Sequence, residues 1–320
     1  MIERARACLL AALAVGVLCV PAEARDLPAY GPFGPEGPRM REQLWVLPSG
    51  EDGHALRATV FRPHDAPGAV STPRPLVVIN HGTSSATRLS VSMPVYYWLS
   101  RWFVERGYVV ALPQRRGHGA TGGRLAEAVG SCANPDHERS GAIAADDIEA
   151  VVNFLSNEPF VAPRKTIVVG ISTGGWAALA LASRNPINVS GIINIAGGRG
   201  GYAGGKPNAV CGERKLIQAV AAYGRTARIP SLWLYAENDT YFGPKLANAM
   251  AEAWRAGGAD AKLHILPAYG TDGHNIANDR AGWDVWGGMT DSFLGTSQRP
   301  AVIAESSGAE IATAAETGGP

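Results

Sequence analysis

The sequence carries little charge and little sulfur for its length. Among 320 residues, Lys and Arg total 29 and Asp and Glu total 28, which leaves a net charge of +1. A chain so close to neutral has no general electrostatic attraction for nucleic acid or for an anionic membrane. Motifs for a P-loop, a dinucleotide fold, a zinc site or a carboxylate pair are also absent from the sequence. We therefore expect neither a metal nor an organic cofactor.

A long hydrophobic run occurs at the N-terminus, over residues 7–20, after a short basic segment. The run is too short to span a bilayer, which disfavours an uncleaved anchor helix. A small-x-small cleavage signal ends at Ala24, and together these features are typical of a secretory signal peptide over residues 1–24. Cys19 raises the alternative of a lipoprotein, but the bulky Leu18 before it disfavours lipidation. We therefore expect an exported protein, periplasmic or extracellular, with no stable membrane insertion after cleavage.

Cysteine is scarce, with four residues in the whole chain, and signal-peptide cleavage would leave Cys132 and Cys211. An oxidising compartment favours a disulfide between these two residues. The alternative is a pair of buried thiols. Two cysteines do not by themselves make a metal site.

Strand and helix patterns divide the rest of the chain. Residues 25–40 are rich in Pro and Gly and are predicted to form an extended arm. Residues 41–297 form the predicted domain, which begins with a β-hairpin over residues 42–62. From residue 75 to residue 294, apolar strands alternate with helices, which predicts an α/β fold with a mostly parallel sheet and helices on both faces. Residues 298–320 lack hydrophobic periodicity and are predicted to be disordered.

The strongest chemical signal lies at residues 170–175, with the sequence Gly-Ile-Ser-Thr-Gly-Gly, between an apolar strand pattern and an Ala/Leu-rich helix pattern. A G-x-S-x-G motif in a strand–turn–helix context is typical of a nucleophile elbow, which lifts the serine hydroxyl above the edge of a sheet. The flanking glycines are needed because a Cβ would collide with the neighbouring strand and helix. The alternative is a glycine-rich loop with an ordinary serine. We expect Ser172 to be the nucleophile.

A serine hydroxyl becomes an effective nucleophile when a histidine accepts its proton and a carboxylate orients that histidine. With a nucleophile elbow, the expected chain order is serine, acid, histidine. Ser172, Asp239 and His274 follow that order, each in a loop after a predicted strand. Glu237 and Asp272 are alternatives for the acid. Glu237 is still close to strand geometry, and Asp272 is near enough to His274 in sequence to cap its turn instead.

The oxyanion formed during acyl transfer needs two backbone N–H groups aimed at it. We expect one from Thr173, directly after the nucleophile, and the other from Thr83 or Gly82 in an earlier strand-end loop. His81 and His118 lie beside glycines at strand ends. They are predicted to shape the site rather than act as the base.

Aromatic side chains are candidates for the wall of a substrate pocket. Trp176 and Tyr202 are our two candidates for substrate binding, although a single aromatic residue is more often part of the core. The segment 197–228 is short, so we expect a small cap or none. Its glycine-rich beginning, residues 197–201, lacks the G-x-G-x-x-G register and is predicted to be a loop.

Five motifs spread over residues 40–295 resemble those of the α/β-hydrolase superfamily and, within it, of the dienelactone hydrolase-like branch. They are Asn80-His81-Gly82, Arg115-Arg116-Gly117-His118-Gly119, the elbow at residues 170–175, Tyr235-Ala236-Glu237-Asn238-Asp239, and Asp272-Gly273-His274. The resemblance implies a hydrolase. Dienelactone hydrolases proper are cytoplasmic and use cysteine where this chain has Ser172. Serine-bearing relatives include carboxylesterases, acetyl-xylan esterase-like enzymes and prolyl-oligopeptidase-type peptidases, so the resemblance leaves the acyl group open.

The resulting hypothesis is an exported serine hydrolase that cleaves small carboxylic esters through an acyl-enzyme intermediate. Two alternatives stay open: a serine peptidase of prolyl-oligopeptidase type, and a non-catalytic binding protein on a hydrolase scaffold. The intact order of serine, acid and histidine argues against the binding protein. The sequence does not indicate an oligomeric state.

Overall fold

The computed structural model describes residues 29–65, 72–84 and 86–296. The predicted signal peptide and the predicted C-terminal tail lie outside these residues, as does the first part of the predicted arm. Over the described ranges, no helix combines the length and the apolar character needed to cross a bilayer.

The described residues form one nine-stranded sheet. Its strands are β1 (Gly31–Phe33), β2 (Gln43–Pro48), β3 (Ala55–Phe61), β4 (Leu76–Asn80), β5 (Val109–Gln114), β6 (Thr166–Ile171), β7 (Val189–Ile195), β8 (Ser231–Ala236) and β9 (Lys262–Leu266). Their order across the sheet is β1-β2-β3-β5-β4-β6-β7-β8-β9. In the sheet order β1-β2-β3-β5, neighbouring strands are antiparallel. In the rest of the sheet, β5-β4-β6-β7-β8-β9, neighbouring strands are parallel. The predicted hairpin is therefore β2–β3, and β1 extends the sheet from within the described part of the arm.

Six α-helices cover the two faces of the sheet in the described ranges. They are α1 (Tyr97–Val104), α2 (His137–Leu155), α3 (Thr173–Ala182), α4 (Glu213–Thr226), α5 (Pro244–Ala256) and α6 (Trp283–Leu294). Helices α2 to α5 share one core with Val78 of β4, whereas α1 and α6 share the opposite core with Val77 and Ile79. This alternation follows from the period of two in a strand. The predicted fold class, a mostly parallel sheet with helices on both faces, is confirmed.

Helix α4 is the main element of the structure that was not predicted from the sequence. Its buried residues Leu216, Val220 and Tyr223 have the i, i+4, i+7 spacing of one helix face. The helix approaches α5 closely, since a Cβ on Gly224 would lie 2.4 Å from the Trp254 carbonyl oxygen. Most of the segment between β7 and β8 is therefore packed into the core rather than standing above the sheet.

A disulfide joins Cys132 and Cys211, with their Cα atoms 4.7 Å apart, as predicted. Cys132 lies in the loop between β5 and α2, and Cys211 lies just before α4. His137, at the start of α2, also hydrogen-bonds the Cys211 carbonyl through Nε2 at 2.8 Å. These bonds connect the two loops, residues 115–136 and 196–212, that follow β5 and β7.

Candidate active site

Ser172 lies in a sharp turn between β6 and α3, with φ 55° and ψ −122°. A positive φ is costly for a residue other than glycine, and such strain persists only where the surroundings enforce it. Here the Ser172 N–H donates to the Ile195 carbonyl at 3.1 Å, and the Gly198 N–H donates to the Ser172 carbonyl at 3.1 Å. Ile195 ends β7 and Gly198 lies in the loop that follows it, so the neighbouring strand and its loop hold the turn. The strained strand–turn–helix geometry is the one expected of a nucleophile elbow.

The glycines on both sides of Ser172 allow a close approach of backbone to backbone. A Cβ on Gly170 would lie 2.2 Å from the Gly174 carbonyl oxygen, and a Cβ on Gly174 would lie 2.1 Å from the Asn80 carbonyl oxygen. Neither contact can relax by rotating a side chain, because the atoms that collide belong to the backbone. The expected reason for glycine at these positions therefore holds in the structure.

His274 and Asp239 meet after the last two strands. Asp239 follows β8, and His274 lies in a short 3-10 turn after β9. The His274 Nδ1 is 3.1 Å from one Asp239 carboxylate oxygen and 3.2 Å from the other. The buried Asp239 also accepts the N–H groups of Tyr241 and Phe242, at 2.8 and 2.9 Å, which fix its orientation. Because a carboxylate accepts hydrogen bonds, Nδ1 carries the ring proton and Nε2 is left as the basic nitrogen.

The three candidate acids make different contacts in the structure. Glu237 is exposed at the end of β8. Asp272 accepts the His274 N–H at 3.0 Å and the Thr240 hydroxyl at 2.6 Å, so its carboxylate caps the turn. Burial acts to raise the pKa of Asp272, but the hydrogen bond from Thr240 and the backbone bonds from His274 and Thr240 outweigh it and lower the pKa. Asp239 is the acid that contacts the histidine ring.

Ser172 and His274 lie at the same edge of the sheet. Strands β6, β7, β8 and β9 are consecutive neighbours, and the carboxyl ends of parallel strands meet at one edge. Gly198, which donates to the Ser172 carbonyl, packs against Phe242: a Cβ on Gly198 would lie 2.6 Å from that ring. The Phe242 ring is in turn 5.8 Å from the His274 ring, centroid to centroid. Ser172, Asp239 and His274 are thus gathered in one region.

The predicted oxyanion residues lie beside Ser172. A Cβ on Gly82 would lie 3.1 Å from the Ser172 Cβ, which places the Gly82 backbone next to Ser172. The Thr173 hydroxyl donates to the Thr83 hydroxyl oxygen at 2.9 Å, so the two loops touch. Thr173 is also the first residue of α3, where backbone N–H groups have no partner within the helix.

The surroundings of the Gly82 carbonyl bear on the choice of the second donor. The His81 Nδ1 donates to this carbonyl at 2.7 Å, and in a planar trans peptide a fixed carbonyl also fixes the direction of the next N–H, which is that of Thr83. The Thr83 N–H is therefore held in one direction, and the Gly82 N–H stays the alternative donor.

His81 and His118 are buried on the far side of the Thr83 loop. Burial, Arg115 and His118 hold the pKa of His81 well below its ordinary value. Burial and Arg115 lower the pKa of His118 to about 4. Both rings are neutral near pH 7. His81 is hydrogen-bonded through both nitrogens, and His118 is hydrogen-bonded to Thr83 through Nε2, which fits a structural position.

Sequence reasoning missed Glu127, which lies in the loop between β5 and α2. Its carboxylate is 2% exposed and pairs with the fully buried Arg115 at 2.8 Å and with Arg199 at 3.5 Å. In the sequence, Glu127 is a single acidic residue between Ala126 and Ala128, which by itself does not indicate a buried ion pair. Its partners lie at least 12 residues away along the chain.

The two aromatic candidates fall in different places. Trp176 is 1% exposed, and its indole N–H donates to the His137 carbonyl at 2.8 Å. It therefore belongs to the core, and its assignment to a substrate pocket was wrong because α3 is buried on all sides. Tyr202 is 37% exposed, and its ring lies 5.1 Å from the ring of Tyr241. Across the described ranges, no group of three or more His, Cys, Asp or Glu residues is arranged to hold a metal ion.

Comparisons with known proteins agree with this fold. Among solved structures, the chain is similar to a dienelactone hydrolase-type protein of Klebsiella pneumoniae, with a TM-score of 0.53 and 16% identity over 80% of this chain and 99% of the other. An esterase of Pyrococcus furiosus matches with a TM-score of 0.53 and 16% identity over 83% and 92%. The acylaminoacyl peptidase of Pyrococcus horikoshii matches with a TM-score of 0.56 and 16% identity, over 85% of this chain but 42% of the peptidase.

At these identities the solved structures establish the α/β-hydrolase fold. No curated protein sequence matches the chain. The model of the dienelactone hydrolase family matches residues 69–296, which is most of the domain and contains every residue of the candidate site. The chain therefore belongs to the dienelactone hydrolase family.

Proposed function

We propose that this hydrolase cleaves carboxylic esters of small molecules with Ser172 as nucleophile, His274 as base and Asp239 as the orienting acid. The observation that carries the proposal is the His274–Asp239 contact, 3.1 Å long, at the sheet edge where Ser172 stands in a strained turn. Serine at the turn between β6 and α3 supports a serine mechanism in this member of the dienelactone hydrolase family.

The reaction then follows from the roles of these groups. The Ser172 Oγ attacks the acyl carbon while the His274 Nε2 takes the hydroxyl proton, and the N–H groups of Thr173 and Thr83 stabilise the oxyanion. Collapse of the tetrahedral intermediate expels the alcohol, which receives the proton from His274. Water deprotonated by His274 attacks the acyl-enzyme, and the carboxylic acid leaves as Ser172 regains its proton.

The first test is turnover of p-nitrophenyl acetate and butyrate by the mature protein, compared with Ser172→Ala and with labelling by a fluorophosphonate. We expect turnover and labelling in the parent, and neither in the variant. Labelling of Ser172 without ester turnover would contradict the ester substrate and favour a peptide, as in the structurally similar peptidase. Absence of both signals would favour a binding protein on a hydrolase scaffold.

We also propose that the protein is exported. Support comes from the signal-peptide pattern at residues 1–24 and from the bond between Cys132 and Cys211, since disulfides persist mainly in oxidising compartments. The expected outcome is a mature chain that begins at Arg25 and shows no free thiol before reduction. An uncleaved chain in the cytoplasmic fraction, with Cys132 and Cys211 among its free thiols, would contradict export.

A further inference from the structure

A buried ion pair lies beneath the proposed oxyanion hole. The Arg115 guanidinium donates through Nε to Glu127 Oε2 at 2.8 Å and through Nη2 to Oε1 at 3.3 Å. Taking both charges out of water is costly, and replacing such a pair by apolar residues is often neutral for stability. A contribution to stability is therefore a weak explanation for the Arg115–Glu127 pair. The other hydrogen bonds of these two side chains go to the loop that contains Thr83.

Glu127 holds Thr83 directly. The Thr83 hydroxyl donates to Glu127 Oε1 at 3.0 Å and accepts from the Thr173 hydroxyl at 2.9 Å. Because its one proton goes to the carboxylate, the same oxygen accepts from the Nε2–H of His118, also at 2.9 Å. The two residues whose N–H groups are the proposed oxyanion donors are thus linked side chain to side chain, and the link ends on the Glu127 carboxylate. A hydrogen bond to a charged acceptor in a buried site is stronger than one between neutral groups.

Glu127 also acts on the backbone of the loop through Arg115. The Arg115 Nη1 donates to the His81 carbonyl at 2.8 Å, and the neutral His81 ring donates from Nδ1 to the Gly82 carbonyl at 2.7 Å. The Arg115 N–H in turn donates to His81 Nε2 at 3.2 Å. In a planar trans peptide, a fixed carbonyl also fixes the direction of the next N–H. The bond to the Gly82 carbonyl therefore sets the direction of the Thr83 N–H.

We propose that Glu127 is a positioning residue of the oxyanion hole, which aims the Thr83 N–H at the developing oxyanion through the Thr83 hydroxyl and the Arg115 guanidinium. The inference rests on the proposed function, because it concerns the oxyanion of that reaction. N–H donors that are held in place before the reaction need no reorganisation when the oxyanion forms. This role gives a reason for the buried Glu127 carboxylate beside the Thr83 loop. Arg199, 3.5 Å from Glu127 Oε1, adds a second guanidinium that would be left facing Arg115 if the carboxylate were neutralised.

The test compares Glu127→Gln with Thr83→Val and Thr83→Ser. We expect Glu127→Gln and Thr83→Val to lower kcat for p-nitrophenyl acetate by about 10- to 100-fold, with KM changed less than about twofold, since donor alignment matters in the transition state. Thr83→Ser keeps the hydroxyl and should retain kcat within about threefold of the parent. Thr83→Val has nearly the size of the parent residue, so it keeps the test decisive if Glu127→Gln does not fold.

A boronic acid provides the readout that a general loss of structure would not reproduce. Its boron binds the Ser172 Oγ as a tetrahedral adduct, with one oxygen in the oxyanion hole, so its Ki should rise by the same factor as kcat falls. The matched control is Asp147→Asn, which removes the carboxylate of the neighbouring buried pair, Arg116–Asp147 at 2.7 Å. That variant should lose stability without changing kcat or Ki per folded molecule.

Two results would overturn the inference. If Ser172→Ala abolishes turnover but folded Glu127→Gln and Thr83→Val keep the parent kcat and Ki, the positioning role is wrong while the proposed function stands. If Asp147→Asn lowers kcat and raises Ki as much as Glu127→Gln does, the effect is a general one and the specific role of Glu127 is also wrong. A parent protein without hydrolytic activity would instead remove the proposed function and the inference together.

Discussion

The ring of Tyr241 is stacked on the imidazole of His274, with centroids 4.1 Å apart and an interplanar angle of 21°. Tyr202 lies against the same tyrosine, with ring centroids 5.1 Å apart. The histidine is therefore held by two contacts of different kinds, the carboxylate of Asp239 at its edge and an aromatic ring on its face. The exposed Tyr202 therefore lies next to this stack.

Removal of the stacking ring should slow catalysis. Aromatic contacts contribute about 0.5–1.5 kcal/mol beyond burial, so Tyr241→Ala should lower kcat by up to about tenfold through a less well ordered His274. Tyr241→Phe keeps the ring and is the matched control, with kcat expected within about twofold of the parent. Steady-state kinetics on p-nitrophenyl acetate measure both. Equal losses in the two variants would mean that the hydroxyl, not the stacking, matters.

The two aspartates near His274 should differ sharply when they are neutralised. Asp239→Asn removes the group that orients the Nδ1 proton, and we expect kcat to fall by about 10³- to 10⁴-fold. Asp272→Asn leaves the His274–Asp239 contact in place and weakens a turn cap, so kcat should stay within about tenfold while stability falls by about 1 kcal/mol. Kinetics and urea unfolding of both variants separate the two roles. A larger kcat loss in Asp272→Asn would reassign the catalytic acid.

His118 should make the fold less stable in mild acid. Its pKa is about 4 in the folded protein against an ordinary value of 6.5, because burial and Arg115 oppose its charged form. Between these pH values the unfolded chain binds the proton and the folded chain does not, so the free energy of unfolding falls as pH decreases from about 6.5 towards 4. The full effect, reached below pH 4, is about 3 kcal/mol.

Urea unfolding at pH 7.5 and pH 5 measures this dependence. His118→Gln should flatten it, since glutamine has no proton to gain over this range. The buried His81, whose pKa is also lowered, contributes in the same direction and remains in the variant. An unchanged slope in His118→Gln would contradict the role given to His118.

Two glycine-to-alanine substitutions should have opposite effects on stability. Gly174→Ala places a methyl group 2.1 Å from the Asn80 carbonyl oxygen, so the elbow must move and unfolding should become easier by about 3 kcal/mol or more. Gly288→Ala lies on the exposed side of α6, where nothing stands within 4 Å of the new atom. There alanine should stabilise the helix by up to about 1 kcal/mol. Thermal or urea unfolding distinguishes the two, and a tolerated Gly174→Ala would contradict the close approach.

Local patterns were sufficient for the strands after β1, for most helices and for the sharp turn at Ser172. The apolar runs of β4 and β6 reflect strands buried on both faces, and Gly170 and Gly174 mark a turn whose sterics depend on near neighbours. The order Ser172, Asp239, His274 also follows from the chain alone once the turn is identified. These features are readable because their causes lie within a few residues or in a known order along the chain.

Other features depended on contacts between segments far apart in sequence. The sequence favoured Asp239 over Asp272, but the contact between Asp239 and the imidazole was visible only in the structure. Trp176 could be assigned to the core only once the helices beside α3 were placed. Glu127 gave no pattern because Arg115, Thr83 and Arg199 reach it from three different loops. By itself the sequence determined the fold class and the chemical groups available; the tertiary structure decided which of them meet, because hydrogen bonds and ion pairs act over a few ångströms of space, whatever the separation along the chain.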